Sequence, residues 1–396
     1  MRSTRHYFTN SKGVKLSAQL DLPADGKPAA YALFAHCFTG SKNWNAVKSI
    51  ARALTQEDIA VFRFDFAGLG ESEGNFADTN FSSNVGDIVA AAHYMIENAM
   101  SPQLLIGHSL GGAATIIASP QIPSLRAAVT IGSPADPAHV RHLFEASMSE
   151  IKEKGEAQVM LGGRKFVIRE QFIEDLEQHD LPQILSNLNR ALLILHSPQD
   201  ETVGIENAAK LFKGAKHPKS FVTLDGADHL LTKKEDSLYA GSLIASWAAR
   251  YIIRAEDSAP FSEMRVAAQT ESDFFTDIKA GQFHLSADSP KRLGGNEMAP
   301  SPYDLLMSSL ASSTSMTIRH GADEMKRKVS SIKVHLEPRK KEAGGDSENI
   351  QLLAINRIIE VRGDLTEQEI KAMASRSPVY RIVKKGLRIE TKIILK

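Results

Sequence analysis

The feature that most restricts the fold is an alternation running from residue 31 to residue 253. Short apolar runs at 31–35, 60–64, 103–106, 127–131, 191–195 and 221–224 are separated by stretches at 46–54, 85–96, 111–118 and 205–212 whose apolar residues recur at helical spacing. Runs that stay apolar on both sides of the pleat belong to strands buried on both faces. Strands that alternate with helices form a parallel sheet covered on both sides. A last amphipathic helix at 237–253 closes this α/β unit, and residues 1–30 carry turn chemistry at Ser11-Lys12-Gly13 and Ala24-Asp25-Gly26 that predicts strands joined by tight turns. The charge-rich interval between 131 and 191 breaks the rhythm. Inside it, 157–161 and 164–168 flank Gly162-Gly163, the pattern of a hairpin. Open α/β sheets bind ligands at the C-terminal edge of their strands, so the interval from about 135 to 190 reads as a cap insertion over that edge, with a plain surface excursion as the alternative.

The chemistry is concentrated at Gly107-His108-Ser109-Leu110-Gly111, a Gly-x-Ser-x-Gly segment directly after a buried strand and directly before a helix. So sharp a corner requires glycine on both sides of the serine and lifts Ser109 above the sheet edge. The backbone N–H of Leu110 then lies at a helix N-terminus, where it faces a developing oxyanion. A serine hydroxyl needs a base, and this architecture demands an acid and then a histidine downstream. Asp200 follows the strand 191–195 and His229 follows the strand 221–224, both just past the C-terminal end. His196 and His217 compete for the base, and Glu201, Asp225 and Asp228 for the acid. His217 precedes its strand, and Asp225 and Asp228 stand so near His229 that shaping its turn suits them better. The second oxyanion donor falls in His36-Cys37-Phe38-Thr39-Gly40, with the N–H of Phe38 as the candidate and that of Cys37 as the alternative. The Gly-punctuated stretch 63–74 lacks the Gly-Lys-Ser/Thr ending of a phosphate loop and reads as a structural turn near the same edge.

Composition narrows the partners. Lys and Arg number 47, and so do Asp and Glu, so no global field draws in nucleic acid. The single cysteine, Cys37, excludes an intramolecular disulfide framework and any multi-cysteine zinc or iron–sulfur site, and nothing calls for a metal or cofactor. No apolar run is long enough to span a bilayer, and the two early arginines have no apolar segment behind them, so neither a membrane partner nor a secretory signal is expected and a cytoplasmic location is the default.

After a linker at 255–264 the grammar changes. Residues 265–287 read as a β-meander around Lys279-Ala280-Gly281, a long helix follows Pro300-Ser301-Pro302, and strands are expected near 331–336, 351–361 and 387–395, with a helix at 367–376. Segregated strands and helices mark a second, α+β domain over 265–396.

On Gly-His-Ser-Leu-Gly-Gly, Phe64-Asp65-Phe66-x-Gly68-x-Gly70-x-Ser72 and the Asp200 and His229 loops, residues 1–254 resemble the small esterase and acyl-hydrolase branch of the α/β-hydrolase superfamily. The resemblance implies an eight-stranded, mostly parallel sheet and a Ser–His–Asp hydrolase without metal or cofactor. Ser109 departs from the dehalogenase and epoxide-hydrolase branches, which carry a carboxylate there. On Ser301-Pro-Tyr-Asp-Leu-Leu-Met-Ser-Ser-Leu-Ala-Ser-Ser-Thr-Ser-Met-Thr and Ala374-Ser-Arg-Ser-Pro-Val-Tyr-Arg, residues 265–396 resemble the osmotically inducible protein C (OsmC) family of organic-hydroperoxide-reducing thiol proteins. That resemblance implies an intertwined homodimer and redox cysteines at positions 313 and 377, with Asp304 as an acidic partner. Ser313 and Ser377 stand at both positions. Peroxide reduction requires a thiolate that becomes a sulfenic acid, so this domain is expected to have no such activity. Leu306, Leu310, Ser313 and Thr317 share one helix face. The expectation is a serine carboxylic-ester hydrolase acting on a small or medium ester and dimerised through its OsmC-like part. The alternatives are a thiol peroxidase, inactive as it stands, with an accessory hydrolase, or a binder of apolar ligands in the C-terminal half. Met160, Phe166, Phe172 and Ile173 are the candidates from the cap to face the substrate.

Overall fold

A computed structural model describes residues 2–161, 164–253, 266–270, 274–281, 283–340, 352–391 and 393. The chain divides into two compact units, one of residues 1–271 and 277–285, the other of 272–276 and 286–396.

In chain order the first unit opens with β1 (Arg2–Thr9), β2 (Lys15–Leu22), β3 (Ala30–Ala35), α1 (Asn45–Thr55), β4 (Ile59–Phe64), α2 (Phe81–Glu97), β5 (Pro102–His108), α3 (Leu110–Ala118) and β6 (Ala127–Ile131). An insertion follows, with α4 (Met148–Lys154), β7 (Glu156–Leu161), β8 (Arg164–Arg169), α5 (Glu170–Leu176) and α6 (Leu181–Ser186). The unit then resumes with β9 (Ala191–His196), α7 (Glu206–Gly214), β10 (Lys219–Thr223) and α8 (Lys234–Ala248). Eight of these strands form one sheet in the order β1-β2-β4-β3-β5-β6-β9-β10. The first two pairings are antiparallel, and from β4 to β10 all are parallel.

The unbroken apolar runs correspond to strands β4, β6 and β9, which are buried at every residue. Successive residues serve opposite cores, as the two-residue period demands. Leu33 and Phe62 pack with Ile88 of α2 and Ile116 of α3, whereas Phe34 and Val61 pack with Ile50 of α1 and Ile244 of α8. Because β3, β5, β9 and β10 run parallel, the loops that follow them emerge at one edge. The insertion adds Phe144, Ile151, Ile168 and Phe172 to the first of these cores. Along β7 burial alternates, with Ala157, Val159 and Leu161 inward, while Met160 is 63% exposed. Met160 therefore faces solvent and not a substrate pocket, because its position on the pleat is the opposite one.

Beyond residue 265, β11 (Val266–Thr270), β12 (Thr276–Ala280) and β13 (Phe283–Ala287) form a three-stranded sheet. The boundary between compact units runs through this meander and not ahead of it. Within the first unit, Lys279 Nζ lies 2.6 Å from Asp58 and 2.9 Å from Asp25. The expected linker at 255–264 lies outside the described residues. The second unit continues with α9 (Pro302–Glu324), the antiparallel pair β14 (Val329–Lys340) and β15 (Leu352–Gly363), α10 (Glu367–Arg376) and α11 (Pro378–Lys385). The strand expected at 387–395 is not found among its described residues. The chain instead forms α11 just before it, where Pro378 occupies the first turn and Ser377 caps it by accepting from the N–H of Tyr380.

Candidate active site

Strand β5 ends at His108 and α3 begins at Leu110, so Ser109 alone makes the corner, at φ 56° and ψ −127°. A residue with a Cβ rarely adopts that conformation, and such strain persists only where the surroundings impose it. Here they do. A Cβ on Gly107 would stand 2.3 Å from the carbonyl oxygen of Gly111, and one on Gly111 would stand 2.3 Å from that of His36. The N–H of Ser109 donates to the carbonyl of Ile131 at 2.8 Å, tying the corner to β6.

Three side chains from three loops meet at this corner. His229 Nε2 lies 2.9 Å from Ser109 Oγ, and His229 Nδ1 lies 2.7 Å from Asp200 Oδ2. The other carboxylate oxygen of Asp200 accepts the N–H groups of Thr202 and Val203, each at 2.9 Å. Burial disfavours the Asp200 anion, but the hydrogen bond and charge of His229, with the two backbone donors, outweigh it and hold the carboxyl below the usual carboxylate range. An imidazole placed in this way accepts a hydroxyl proton on one nitrogen while its other N–H is fixed by a carboxylate.

The rivals fall elsewhere. His196 is fully buried behind Asp200 and bonds the carbonyl of Val203 at 2.7 Å. Glu201 and His217 are exposed. Asp228 shapes the turn after His229 by accepting from the N–H of Thr232 at 2.9 Å, and Asp225 accepts from Thr223 Oγ1 at 3.4 Å.

Phe38 and Leu110 line one narrow cavity together with His36, Phe66 and Asn84, so the two expected oxyanion donors belong to neighbouring segments. Leu110 opens α3, where N–H groups have no acceptor within the helix. Cys37, the residue before Phe38, is buried, and burial pushes its thiol up to about 12. The Phe38 ring packs on Phe76, Phe144 and Phe172 at centroid distances of 5.2, 6.2 and 5.0 Å, and Phe76 packs on Phe166 at 4.8 Å. Phe172 thus reaches the loop after β3 directly, and Phe166 reaches it through one ring. Ile173 is buried in the same core.

The stretch 63–74 does more than turn. Lys42, at the end of the loop after β3, is buried with Nζ 2.5 Å from Asp65 and 2.9 Å from Glu71, and its N–H donates to Asp65 at 2.6 Å. Arg63, also buried, pairs with Asp21 at 2.5 Å and donates to the carbonyl of Lys42. Burial opposes ionisation of Asp65, but the N–H of Glu71, the Lys42 ammonium and the neighbouring His36 hold its carboxyl below the usual range. A lysine in the loop after one strand, with an Arg on the next strand and an Asp just past its end, was the available signal. It points to an anchor only when the loop after β3 and the end of β4 are known to be adjacent.

His108, the free position of the corner motif, was not singled out by sequence. Its Nε2 lies 2.7 Å from the carbonyl oxygen of His229, and the two rings meet tilted, with centroids 5.2 Å apart at 37°.

In the second unit Ser313 Oγ and Ser377 Oγ are 2.9 Å apart. Asp304 completes the capping box of α9 by accepting from the N–H and hydroxyl of Ser301. Nine residues at 1.5 Å rise put Asp304 about 13 Å along the axis from Ser313, so within one chain it is a helix cap and not a neighbour of that hydroxyl. Among the described residues no cluster of His, Cys, Asp and Glu suits a metal ion, and no helix is long and apolar enough to cross a membrane.

Known proteins match both units. A family described as serine aminopeptidase, S33, matches residues 26–155, and one described as OsmC-like protein matches residues 294–392. The solved esterase domain of a Rhodothermus marinus protein is 49% identical, over 63% of this chain and 99% of that one, with a TM-score of 0.54. Palmitoyl-protein thioesterase ABHD10, mitochondrial, of Mus musculus is 28% identical over 203 residues, 49% of this chain and 67% of that protein. Est1E of Butyrivibrio proteoclasticus, solved with ferulic acid bound, is 20% identical over 62% of this chain and 98% of its own, with a TM-score of 0.54, a likeness of fold.

Proposed function

The chain belongs to the α/β-hydrolase family, and on that premise we propose that its first unit is a serine carboxylic-ester hydrolase working through a covalent acyl-enzyme. The reading is carried by one observation, the unbroken chain from Ser109 through His229 to Asp200 at 2.9 and 2.7 Å. Ser109 Oγ attacks the ester carbonyl while His229 Nε2 takes its proton. The N–H groups of Phe38 and Leu110 receive the oxyanion. His229 then returns the proton to the leaving alcohol, and Asp200 holds the imidazole tautomer and stabilises its charged form. Water repeats the sequence on the acyl-enzyme and frees the acid and Ser109. The rings of Phe38, Phe166 and Phe172 support an uncharged acyl group of small or medium size beside the corner.

Hydrolysis of p-nitrophenyl esters of increasing acyl length tests this. A fluorophosphonate should label Ser109 and abolish turnover, and a Ser109→Ala variant that keeps wild-type turnover overturns the reading. A thioester offers the same carbonyl to the same groups, and a mouse relative is named as a thioesterase, so an acyl thioester belongs in the series.

The second unit serves to pair two chains. Its own buried cluster is small, built on Ile318, Met373 and Ala374, while Leu306, Met316, Ile358 and Ile382 stand exposed. That apolar surface supports burial against a second copy. Light scattering should give a dimer, and a monomer refutes this. A thiol peroxidase reading fares worse, since the chain's one thiol is the buried Cys37 and the paired hydroxyls of Ser313 and Ser377 cannot cycle through a disulfide. Thiol-dependent consumption of an organic hydroperoxide should be absent.

A further inference from the structure

We infer that His108 is a positioning residue that holds His229 in register with Ser109. The inference rests on the ester-hydrolase reading above and adds to it a residue outside the three-member chain. Its starting point is the unequal support of the three loops. Ser109 leaves the central strand β5 and Asp200 leaves β9, but His229 follows β10, an edge strand of the sheet, whose residues are part-buried or exposed. A loop hung on an edge strand has one flank without a neighbour, and although Leu224, Ala227 and Leu231 root this one in the core, part of its distance from the centre of the sheet is left to be set from elsewhere.

His108 sets it. It is the last residue of β5 and the chain neighbour of Ser109, and its Nε2–H donates to the backbone carbonyl of His229 at 2.7 Å across 121 positions of sequence. One peptide unit therefore separates the hydroxyl from the group that anchors its base. That bond also places the His108 proton on Nε2 and leaves Nδ1 bare. The ring of His108 lies tilted against the ring of His229 at 5.2 Å and 37°, so the imidazole is held through its own backbone and by a ring contact.

A second feature of the pair bears on charge. Burial foremost, and then the nearby charge of His229, press the His108 pKa down to about 3, against weaker opposing effects of the bond to His229 and of Asp200, with His36 also facing it and lowering it slightly. His108 therefore stays neutral while His229 gains a proton in the reaction. It neither competes for the proton nor sets a second positive charge beside the first.

Three variants separate bond, ring and bulk. His108→Phe keeps a ring against His229 and loses the donor, His108→Gln keeps an N–H donor and loses the ring, and His108→Ala loses both. The readouts are kcat and KM for a p-nitrophenyl ester from pH 6 to 9, the rate of fluorophosphonate labelling, and the thermal midpoint. His108→Phe should lower kcat and the labelling rate about 10²-fold, the scale of a misplacement near 1 Å, with KM and the midpoint little changed. His108→Gln should recover to within about tenfold of wild type. His108→Phe at wild-type kcat and labelling rate overturns the inference. So does an equal loss in all three variants with a fallen midpoint, which marks a packing role only. Ser109→Ala serves as the reference. If the wild type neither turns over the ester nor labels, the hydrolase reading falls and takes this inference with it. If the wild type and Ser109→Ala behave as expected while His108→Phe is silent, the inference alone falls.

Discussion

Each unit sets a serine hydroxyl 2.9 Å from a second polar side chain, and the two pairs differ in what that second group is. Ser109 faces the imidazole of His229, while Ser313 faces the hydroxyl of Ser377. An imidazole can take the proton that an attacking hydroxyl must lose, and a second hydroxyl cannot at neutral pH. The support behind each pair differs as well. His229 is backed by a buried carboxylate that is itself held by two backbone N–H groups, whereas Ser377 Oγ spends its other contact on capping α11, accepting from the N–H of Tyr380 at 3.4 Å. The backbone follows suit, strained at Ser109 and helical at Ser313. The contrast teaches that a reactive serine is made by its neighbours and by the corner that presents it.

The largest expected effect sharpens this contrast. Ser109→Ala should lower kcat by about 10⁶-fold, as the loss of a triad serine does. Ser313→Ala and Ser377→Ala should leave ester turnover within about twofold of wild type, since neither hydroxyl belongs to the hydrogen-bonded chain of Ser109, His229 and Asp200. Steady-state hydrolysis of one p-nitrophenyl ester measures all three, and a Ser313→Ala variant without turnover breaks the comparison. Next comes Asp200→Asn, which keeps the shape of the carboxylate but presents an N–H to His229 and favours the wrong tautomer. It should cost about 10⁴-fold in kcat, with an unchanged circular dichroism spectrum.

How much of this was legible in the sequence differs between the units for the same physical reason. In the first, each apolar run between 31 and 224 has a strand overlapping it, because a strand buried on both faces leaves an unbroken signal. Ser109, Asp200 and His229 were each marked by standing just past such a run. The pleat gave no comparable mark to Met160, since in a half-exposed hairpin one residue of register decides between core and solvent. Lys42, Asp65 and His108 were missed as a set because their partners lie far off in sequence, and spacing along one segment carries no trace of them. In the second unit the tail misled. Residues 387–393 alternate apolar and polar as an edge strand would, but strand pairing depends on a partner that local pattern does not specify, and the described residues there carry no strand.

An intermediate effect tests the anchor of the loop proposed to receive the oxyanion. Asp65→Asn removes the charge that faces the buried ammonium of Lys42 and leaves Glu71, half-exposed, as its remaining ionic partner. Removing one partner of a buried pair costs about 3–5 kcal/mol, and urea unfolding of the full chain should show a loss of that order in the first unit. Ser313→Ala, which removes one neutral hydrogen bond, should cost only about 1 kcal/mol. Equal losses would mean that Lys42 finds another anion, and that the two units are built with similar economy.

The last effect is a pH dependence of stability in the first unit. Burial there keeps His108 neutral, its pKa pressed to about 3, and lowers that of His36 as well. Unfolding releases both rings to water, where a histidine titrates near about 6.5. Below that value the unfolded chain binds more protons than the folded one, so stability rises with pH and is lost on acidification. Each such ring withdraws about 1.4 kcal/mol per pH unit once the pH lies well below 6.5 and above its folded value. The depressed carboxyls of Asp65 and Asp200 add a second loss further down, because the stability they give is present above the ordinary carboxylate range and disappears as pH falls through their folded values. The thermal midpoint of the first unit should therefore drop between pH 6.5 and pH 4.5, and His108→Phe, which has no proton to bind in either state, should drop less steeply. Equal slopes would mean that the ring of His108 takes up a proton inside the folded protein. A charged ring would then face His229, and the neutral surroundings that the hydroxyl pair of the second unit keeps would be lost at Ser109.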